Sequence, residues 1–453
     1  MSQQIDTLAG FAANARWDAV PDAVRRHTKL VVLDTLGVML AGADRPDVRR
    51  LHAQLAPAGA SAGVTVIARG WPRCDVRTAA LLNGISGRSI ELCEGLRLVS
   101  GQPAIQILPG ALAVAEQAQS SGAHFLSAFL AGYDIAARLC TAFKARPIAH
   151  QNGQAILLAA AATGAVLRGL DGEGISLAMR IAASLVLTPS YNNAVNGATA
   201  LNVAGGMSSF AAALVPDLAL AGFTAQPQAI EESLSQLVGD GFDPTHLTDE
   251  LGTRWEITRN YFRLYACCNP IHPALDALQT VLGRLRPQAG EIEGIDVATY
   301  RFASVMRNPD PPNYFASKYS LPHVAAAMVL RGSASHAALG DDALQDPGIV
   351  ALRHRVHVAE DPALSAMVPG DKPARVTVRL KDGRSDTEQV QSHRGDFKQP
   401  FAESEIREKF RELAGTVLTD RGVAAVEGAV DRCETWHNMD ELFGLLRSHG
   451  RSL

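Results

Sequence analysis

One pentapeptide of the chain has the spacing of a serine nucleophile. The segment Gly59-Ala60-Ser61-Ala62-Gly63 matches the GxSxG pattern, in which a sharp strand-to-helix turn exposes the serine hydroxyl. Here a helical, Pro-containing stretch precedes the serine, and the strand-like run Val64 to Ala68 follows it. Because this order is the reverse of the one that such a nucleophile needs, we interpret the pentapeptide as a turn.

Metal and cofactor chemistry has no recognisable signature in the sequence. No Walker A loop, dinucleotide fingerprint, HExxH helix or EF-hand loop is present. His354 and His357 alternate with Arg353 and Arg355 along a predicted strand, which is typical of a solvated face. The cysteines show no CxxC spacing, which favours reduced thiols. We therefore predict a protein that uses no metal and no cofactor.

The elements that would position a site begin with a long helical region. Up to about residue 250 nearly every predicted element is a helix, among them Pro21 to Gly42, Asn152 to Gly169 and Ala198 to Gly222. Several are rich in Ala and apolar on more than one face, as helices buried in a bundle are. Val64 to Ala68 is the one strand expected in this region.

A different pattern begins near residue 288. Ile292 to Ala303, Arg353 to Ala359 and Ala374 to Leu380 alternate as strands do, and Lys381 to Arg384 has the residues of a hairpin turn. Helical spacing returns from about residue 400. We therefore predict a mostly α protein, with an all-helical domain over residues 1–265 and 400–453 and a smaller α+β lid domain over residues 266–399.

Composition narrows the class of protein further. The 453 residues are 47% hydrophobic and 19% charged, with a formal net charge of -4, which excludes a disordered chain. The mildly acidic balance argues against a nucleic-acid or anionic-membrane surface. The first residues lack a basic and apolar leader, and apolar stretches such as Ala155 to Val166 are too short to span a bilayer. We expect a cytoplasmic protein that binds neither nucleic acid nor membrane.

Short segments spread along nearly the whole chain share the motifs of one family. They are Val31 to Gly37, Asn83-Gly84, Leu108 to Ala113, His150 to Gly153, Ala221 to Thr224, Cys267 to Ala277, Tyr319 to His323 and Gly395-Asp396. In this order they resemble the MmgE/PrpD family, which includes 2-methylcitrate dehydratase, cis-aconitate decarboxylase and iminodisuccinate epimerase. The resemblance implies a large all-α domain with a smaller α+β lid, assembled as a homodimer.

The resemblance also implies the residues that move a proton. His150 matches a histidine of the family's site, and His323 takes the place of a lid tyrosine. Glu91 falls in the family's Asp-rich run, and Gln102 replaces a histidine. Because histidine titrates near neutral pH, His150 and His323 are the implied acid and base. Glu91 would orient or activate a histidine, and Gln102 would orient a substrate oxygen.

The cations of the family's site are fewer in this chain. Arg263 aligns with a family lysine and can hold a carboxylate with two parallel hydrogen bonds, although it cannot serve as a base. Leu201 aligns with a second lysine, so one cation is lost. Because an unpaired buried charge is costly, we predict that tricarboxylates bind poorly. A mono- or dicarboxylate with an apolar portion at Leu201 should bind better, and Leu201→Lys should improve the binding of a tricarboxylate.

Two residues of the lid motifs complete the predicted substrate-binding set. Cys268 belongs to the first motif and Lys318 precedes the second. The simpler interpretation of Cys268 is a small core residue, and that of Lys318 is a lysine on the lid surface.

Two hypotheses about function follow. The first is a cofactor-independent lyase or isomerase that moves a proton next to the carboxylate of a small molecule, as dehydratases, decarboxylases and epimerases do. The second is a catalytically inactive homologue that serves as a binding or dimerisation scaffold. Retention of His150, Arg263 and His323 favours the enzyme, whereas Gln102 and Leu201 favour the scaffold. An open polar pocket at the site would favour the enzyme, and a site filled by side chains would favour the scaffold.

Overall fold

A computed structural model describes residues 2–56 and 62–451. Ser61, the serine of the GxSxG pattern, lies in residues 57–61 and thus outside the described residues. Directly after this segment comes strand β1 (Val64–Thr65), which pairs antiparallel with β2 (Arg73–Cys74). The strand predicted over Val64 to Ala68 is therefore present in a shortened form.

A helical bundle forms the larger part of the molecule. Every residue of its central helix, Ala155–Leu167, is buried, because neighbouring helices surround it on all sides. The bundle comprises α1 (Ser2–Ala13), α2 (Asp22–Ala43), α3 (Pro46–Leu55), α4 (Val76–Arg88), α5 (Pro103–Gln117), α6 (Gly122–Ala142), α7 (Ala155–Leu167), α8 (Gly172–Ala183), α9 (Asn192–Val195), α10 (Ala200–Leu220) and α11 (Ala229–Glu231).

The helices approach one another closely at glycines, which have no side chain. At Gly164 in α7, an added Cβ would lie 1.8 Å from the carbonyl oxygen of Ala212 in α10. At Gly132 in α6, it would lie 1.8 Å from the hydroxyl oxygen of Thr163 in α7. Any larger residue at Gly164 would push the backbones apart, because a packed core has no room to yield. The abundance of small residues thus reflects helix-on-helix packing.

Short strands also occur in the bundle, so the expectation of a single strand there was wrong. β3 (Gly95–Leu96) pairs with β6 (Asn260–Tyr261), and β4 (Phe143–Ala145) pairs with β5 (Gly239–Phe242), both antiparallel. Strands of two to four residues are too short to show an alternating pattern in the sequence. The pairing of β3 with β6 brings the segment around Glu91 next to the segment that carries Arg263.

The lid region is built on a four-stranded sheet in the order β10-β9-β7-β8. The pair β7–β8 is parallel and the other pairs are antiparallel. Alternate residues of β9 are buried, which is the pattern that predicted it. The strands are β7 (Ile292–Thr299), β8 (Val356–Glu360), β9 (Ala374–Leu380) and β10 (Ser385–Val390), and the helices are α12 (His272–Leu285), α13 (Arg301–Ser304), α14 (Tyr314–Ser317), α15 (Leu321–Arg331), α16 (Pro347–Arg353) and α17 (Pro362–Ser365).

The chain then returns to the bundle through α18 (Glu403–Ala414), α19 (Asp420–Asp431) and α20 (Asp440–His449). Helix α18 packs against α2, and a buried ion pair of 2.6 Å joins Lys409 Nζ to Asp34 Oδ1. Lys409 also donates to the carbonyl oxygen of Leu92 at 2.9 Å. The C-terminal helices thus anchor the segment that carries Glu91. The predicted class, a mostly α fold with a smaller α+β part, is confirmed.

Two bundle helices, α6 and α10, are long and apolar enough to cross a membrane by length and composition alone. The expectation that no apolar stretch has this length was therefore wrong. In α6, 94% of the apolar window is buried inside the fold, and in α10 the share is 56%. Burial is how the core helix of a soluble protein accommodates such a composition, so these helices are weak indications of a membrane span.

Candidate active site

A cavity of about 320 Å³ lies where loops of the bundle meet the lid. It brings together residues that are far apart in the sequence, because the β3–β6 pairing places the segment after Glu91 beside the segment before Cys268. Five of the predicted site residues line it: Glu91, Gln102, His150, Arg263 and Cys268.

Glu91 is held between two arginines at the buried end of the cavity. Its Oε2 accepts from Arg88 Nη2 at 2.9 Å, and its Oε1 accepts from Arg263 Nη1 at 2.7 Å. Burial alone would raise the pKa of Glu91, but the two guanidinium groups lower it to about 2. The backbone of Glu91 has φ 50°, a left-handed conformation that costs energy for a residue with a side chain. The carboxylate is therefore a fixed, ionised counter-ion and a poor base.

The charges at this end of the cavity do not balance. Arg88 and Arg263 carry two positive charges against the single negative charge of Glu91, and all three side chains are buried. Nε of each arginine also has no hydrogen-bond partner among the described residues. A buried net charge of +1 attracts an anion, because its field is weakly screened there.

His150 faces this cluster as a neutral imidazole. Its Nδ1 accepts the backbone N–H of Asn152 at 3.3 Å, so in the neutral ring the proton resides on Nε2. Burial, followed by the positive charge of Arg88, lowers the pKa of His150 to about 3. The ring of Tyr191 stacks on it at 5.4 Å between ring centroids. His150 is thus oriented as a hydrogen-bond donor at physiological pH.

Gln102 belongs to a chain of amides on the cavity wall. Its Oε1 accepts from Gln151 Nε2 at 2.6 Å, and Gln151 Oε1 accepts from the hydroxyl of Ser100 at 3.3 Å. Gln102 directly precedes α5, and its side chain does not cap that helix. The orienting role of Gln102 stays a prediction, and this part of the wall offers no titratable group.

Cys268 lies on the cavity wall with its thiol near Tyr191. The distance from Tyr191 Oη to Cys268 Sγ is 3.5 Å. Burial raises the pKa of Cys268 to about 12, so the sulfur stays protonated at physiological pH. Cys268 is therefore suited to wall contact and unsuited to nucleophilic attack.

Four of the side chains described above lie at the buried end of the cavity, and we define them as the floor cluster: Arg88, Glu91, His150 and Arg263.

Family models match the chain along most of its length. The MmgE/PrpD N-terminal domain matches residues 6–244, and the MmgE/PrpD C-terminal domain matches residues 265–434. The chain belongs to the MmgE/PrpD family.

Several cis-aconitate decarboxylases are similar to this MmgE/PrpD member over nearly its full length. The Aspergillus terreus protein is 24% identical, with 97% of this chain and 95% of that protein covered. The Mus musculus protein is 23% identical, with 98% and 93% covered. The Homo sapiens protein is 23% identical, with 94% and 91% covered.

The structure does not bring His323 or Lys318 to the cavity. His323 is fully buried in α15, and neither of its ring nitrogens has a partner among the described residues. Lys318 is also fully buried, which corrects the interpretation of a surface lysine. Its Nζ donates to the carbonyl oxygen of Leu339 at 2.6 Å and lies 4.0 Å from the ring centroid of Tyr314. Only its backbone approaches the site, where its carbonyl oxygen accepts from the N–H of Cys268.

Leu201 likewise lies away from the cavity wall. It is fully buried in the first turn of α10, and its carbonyl oxygen accepts from Asn152 Nδ2 at 3.3 Å. The prediction that an apolar part of the substrate contacts Leu201, and that Leu201→Lys improves tricarboxylate binding, therefore finds no support in this placement.

Sequence reasoning missed two basic residues of this MmgE/PrpD member. Arg88 is the last residue of α4, three positions before Glu91 in the sequence, and Lys372 lines the cavity from the lid. Burial and the nearby Arg97 lower the pKa of Lys372 to about 8. Its Nζ donates to the carbonyl oxygen of Arg97 at 3.1 Å. Neither residue lies in a quoted motif, so only the tertiary structure reveals them.

Tyrosines form much of the remaining wall. Tyr191, Tyr261, Tyr300 and Tyr319 all line the cavity. Tyr261 Oη accepts from Arg263 Nη2 at 3.3 Å, whereas the buried hydroxyl of Tyr300 has no partner among the described residues. An unpartnered buried hydroxyl is available to a bound ligand.

Within residues 2–56 and 62–451, no group of three or more His, Cys, Asp or Glu side chains is arranged to hold a metal ion. His354, considered for a metal on its strand-like spacing, instead contacts Asp310 at 3.1 Å. The donors that line the cavity are a carboxylate already bound by arginines, a neutral imidazole and a protonated thiol.

Proposed function

We propose that this protein is a cofactor-independent lyase of the decarboxylase or dehydratase type that acts on a small mono- or dicarboxylate. The observation that carries the proposal is the floor cluster, which combines a buried net charge of +1 with the neutral imidazole of His150 next to a cavity. Similarity to cis-aconitate decarboxylases supports the reaction class.

In this proposal the floor cluster binds a substrate carboxylate through Arg263. In a dicarboxylate whose two carboxyl groups share one carbon, the second carboxylate leaves as CO2, and its bonding electron pair remains on that carbon and spreads onto the retained carboxyl group. The Nε2–H of His150 donates a hydrogen bond to the oxygen that gains this charge. The ammonium group of Lys372 supplies the proton that the carbon takes up, because a group with a pKa of about 8 is protonated near neutral pH.

The alternative of an inactive scaffold has less support. A scaffold that had lost its reaction would be expected to fill the site with side chains, whereas the cavity has a volume of about 320 Å³. It would also have no reason to keep three ionised groups buried at its floor, since such groups are expensive to bury.

The test is incubation with a panel of mono- and dicarboxylates in D2O, followed by NMR. A lyase releases CO2 or water from one member, and His150→Phe slows the release by about 10²-fold or more, whereas His437→Phe, at an exposed histidine, does not. Deuterium uptake without release would indicate an isomerase. The scaffold would be supported if no compound reacted and none raised the unfolding midpoint.

The floor cluster also predicts poor binding of tricarboxylates. A net charge of +1 satisfies one carboxylate, and Lys372 adds at most one further charge. A third carboxylate would remain unpaired at a cost of several kcal/mol, or two or more decades of affinity. Efficient turnover of 2-methylcitrate or cis-aconitate would contradict this prediction.

We further propose a cytoplasmic homodimer. The outward side of α10 and the turn after it expose Val203 by 42%, Leu220 by 59% and Phe223 by 59%. A second copy of the chain would cover this apolar face. Light scattering should give twice the mass of 48.0 kDa, and a monomer at micromolar concentration would contradict the dimer.

A further inference from the structure

The cavity is charged and buried at its floor, and apolar and more exposed at its mouth. Glu91, His150 and Arg263 at the floor are at most 3% exposed. Three large apolar side chains that line the same cavity are partly exposed to solvent, with exposed fractions of 40% for Leu98, 43% for Phe302 and 37% for Val368. We call these three residues the apolar rim.

Both parts of the molecule contribute to the apolar rim. Leu98 lies in the bundle segment between β3 and α5, whereas Phe302 lies in α13 and Val368 lies between α17 and β9 of the lid. Single exposed apolar side chains are common on protein surfaces, but their collection around the mouth of a cavity is typical of a ligand site. The rim is therefore part of the same site as the floor.

A contiguous series of rings, tilted at Phe302 and stacked at His150, connects the rim to the floor. The ring of Phe302 lies 4.9 Å from that of Tyr191, and Tyr191 lies 5.4 Å from the imidazole of His150. A molecule with its carboxylate at Arg263 and its reacting carbon near His150 would thus extend over Tyr191 toward Phe302. Aromatic faces of this kind bind apolar groups and leave a carboxylate without a donor.

The charges near the mouth do not favour a highly charged ligand either. Arg146 lines the cavity but forms an ion pair with Asp240, with 3.2 Å between Arg146 Nε and Asp240 Oδ1. Lys372 is the remaining cation on the wall among the described residues. The positive field is therefore concentrated at the floor.

We infer that the substrate is an amphipathic carboxylate, whose charged end binds at the floor cluster and whose apolar arm of several carbons lies on the apolar rim. Phe302 is the specificity-determining residue for this arm. The inference rests on the proposed function for the role of the carboxylate, and it adds the chemical class of the rest of the molecule.

The experiment is calorimetric binding of the series acetate, butanoate and hexanoate, with propane-1,2,3-tricarboxylate for comparison. Each buried methylene should improve affinity by about two- to fourfold, and the tricarboxylate should bind more weakly than hexanoate. Phe302→Ser should remove most of the chain-length dependence. Val305→Ser is the matched control, because Val305 is 51% exposed just after the same helix and does not line the cavity.

The outcomes separate this inference from the proposed function. Affinity that does not rise with chain length, an equal rise in Phe302→Ser, or tighter binding of the tricarboxylate would overturn the inference. Chain-length dependence that Phe302→Ser removes, in a protein that turns over no carboxylate, would support the apolar rim and contradict the lyase. Turnover of short carboxylates without any chain-length dependence would do the reverse.

Discussion

Two buried clusters of ionisable residues differ in what surrounds them. The floor cluster contains an ion-paired carboxylate and opens into a cavity. The lid cluster, which we define as Tyr314, Lys318, His323 and His336, does not line that cavity. Within it, Lys318 Nζ donates to the carbonyl oxygen of Leu339 and lies over the ring of Tyr314.

The pKa values alone would not tell the two clusters apart. Burial lowers the pKa of His323 to about 3 and that of Lys318 to about 7, shifts as large as that of His150 in the floor cluster. In both clusters the shifted pKa values result mainly from burial. Access for a ligand is what distinguishes a candidate site.

The largest expected difference between the clusters concerns their cations. Arg263→Met removes the net positive charge of the floor and should lower kcat/KM by about 10³-fold or more. Lys318→Met replaces a costly buried amine with an apolar chain of similar length, so activity should change by less than about twofold. Kinetics with the substrate identified from the carboxylate panel, together with circular dichroism, would check both variants. Equal losses of activity in two folded variants would contradict the comparison.

The two histidines provide a second contrast. His150→Phe keeps the stacking on Tyr191 but removes the Nε2–H donor, so kcat should fall by about 10²- to 10⁴-fold. His323→Phe removes two buried nitrogens without partners, so it should leave kcat unchanged and stabilise the fold by about 1–3 kcal/mol. Urea unfolding and steady-state kinetics measure the two effects. A loss of kcat in His323→Phe at unchanged stability would return His323 to the site.

Acid stability should show the clusters behaving alike. The folded pKa of both His150 and His323 is about 3, below the usual 6.5, so the unfolded chain binds more protons between these values. Stability is therefore fully present above pH 6.5 and falls as the pH drops toward 3, by up to about 1.4 kcal/mol per pH unit for each histidine. Urea unfolding at pH 6 and pH 5 measures this slope. Either Phe variant should lower it, and a slope that neither variant changes would show that these rings do not titrate as described.

The smallest expected effect distinguishes two lysines. If Lys372 donates the proton, kcat should decline above its pKa of about 8, by roughly tenfold at pH 9, because the amine has lost the proton it must give. Lys372→Met should lower kcat and remove this decline, whereas Lys318→Met should retain it. A pH profile of kcat over pH 6–9.5 decides between them. Persistence of the decline in Lys372→Met would assign the proton donor elsewhere.

Sequence reasoning succeeded where a residue's neighbours in the chain determine its environment. The lid strand β9 was predicted with the bounds that the structure has, Ala374–Leu380, because alternate burial along one strand is visible in its residue types. Helix α2 ends one residue from its predicted end for the same kind of reason. Five of the predicted site residues line one cavity, because the segments that resemble the family's site meet there in the fold.

Helical spacing, strand alternation and ordered motifs are properties of the chain read in order, so they were sufficient to predict the fold class and the family. Which ionisable residues face a ligand depends on how distant segments pack together. Lys318 and Tyr319 are adjacent in sequence, yet Tyr319 lines the cavity while the Lys318 side chain points to the carbonyl oxygen of Leu339. The direction of a side chain and the charge beside it depend on segments distant in the sequence, as the contact of Arg263 with Glu91, 172 residues away, shows.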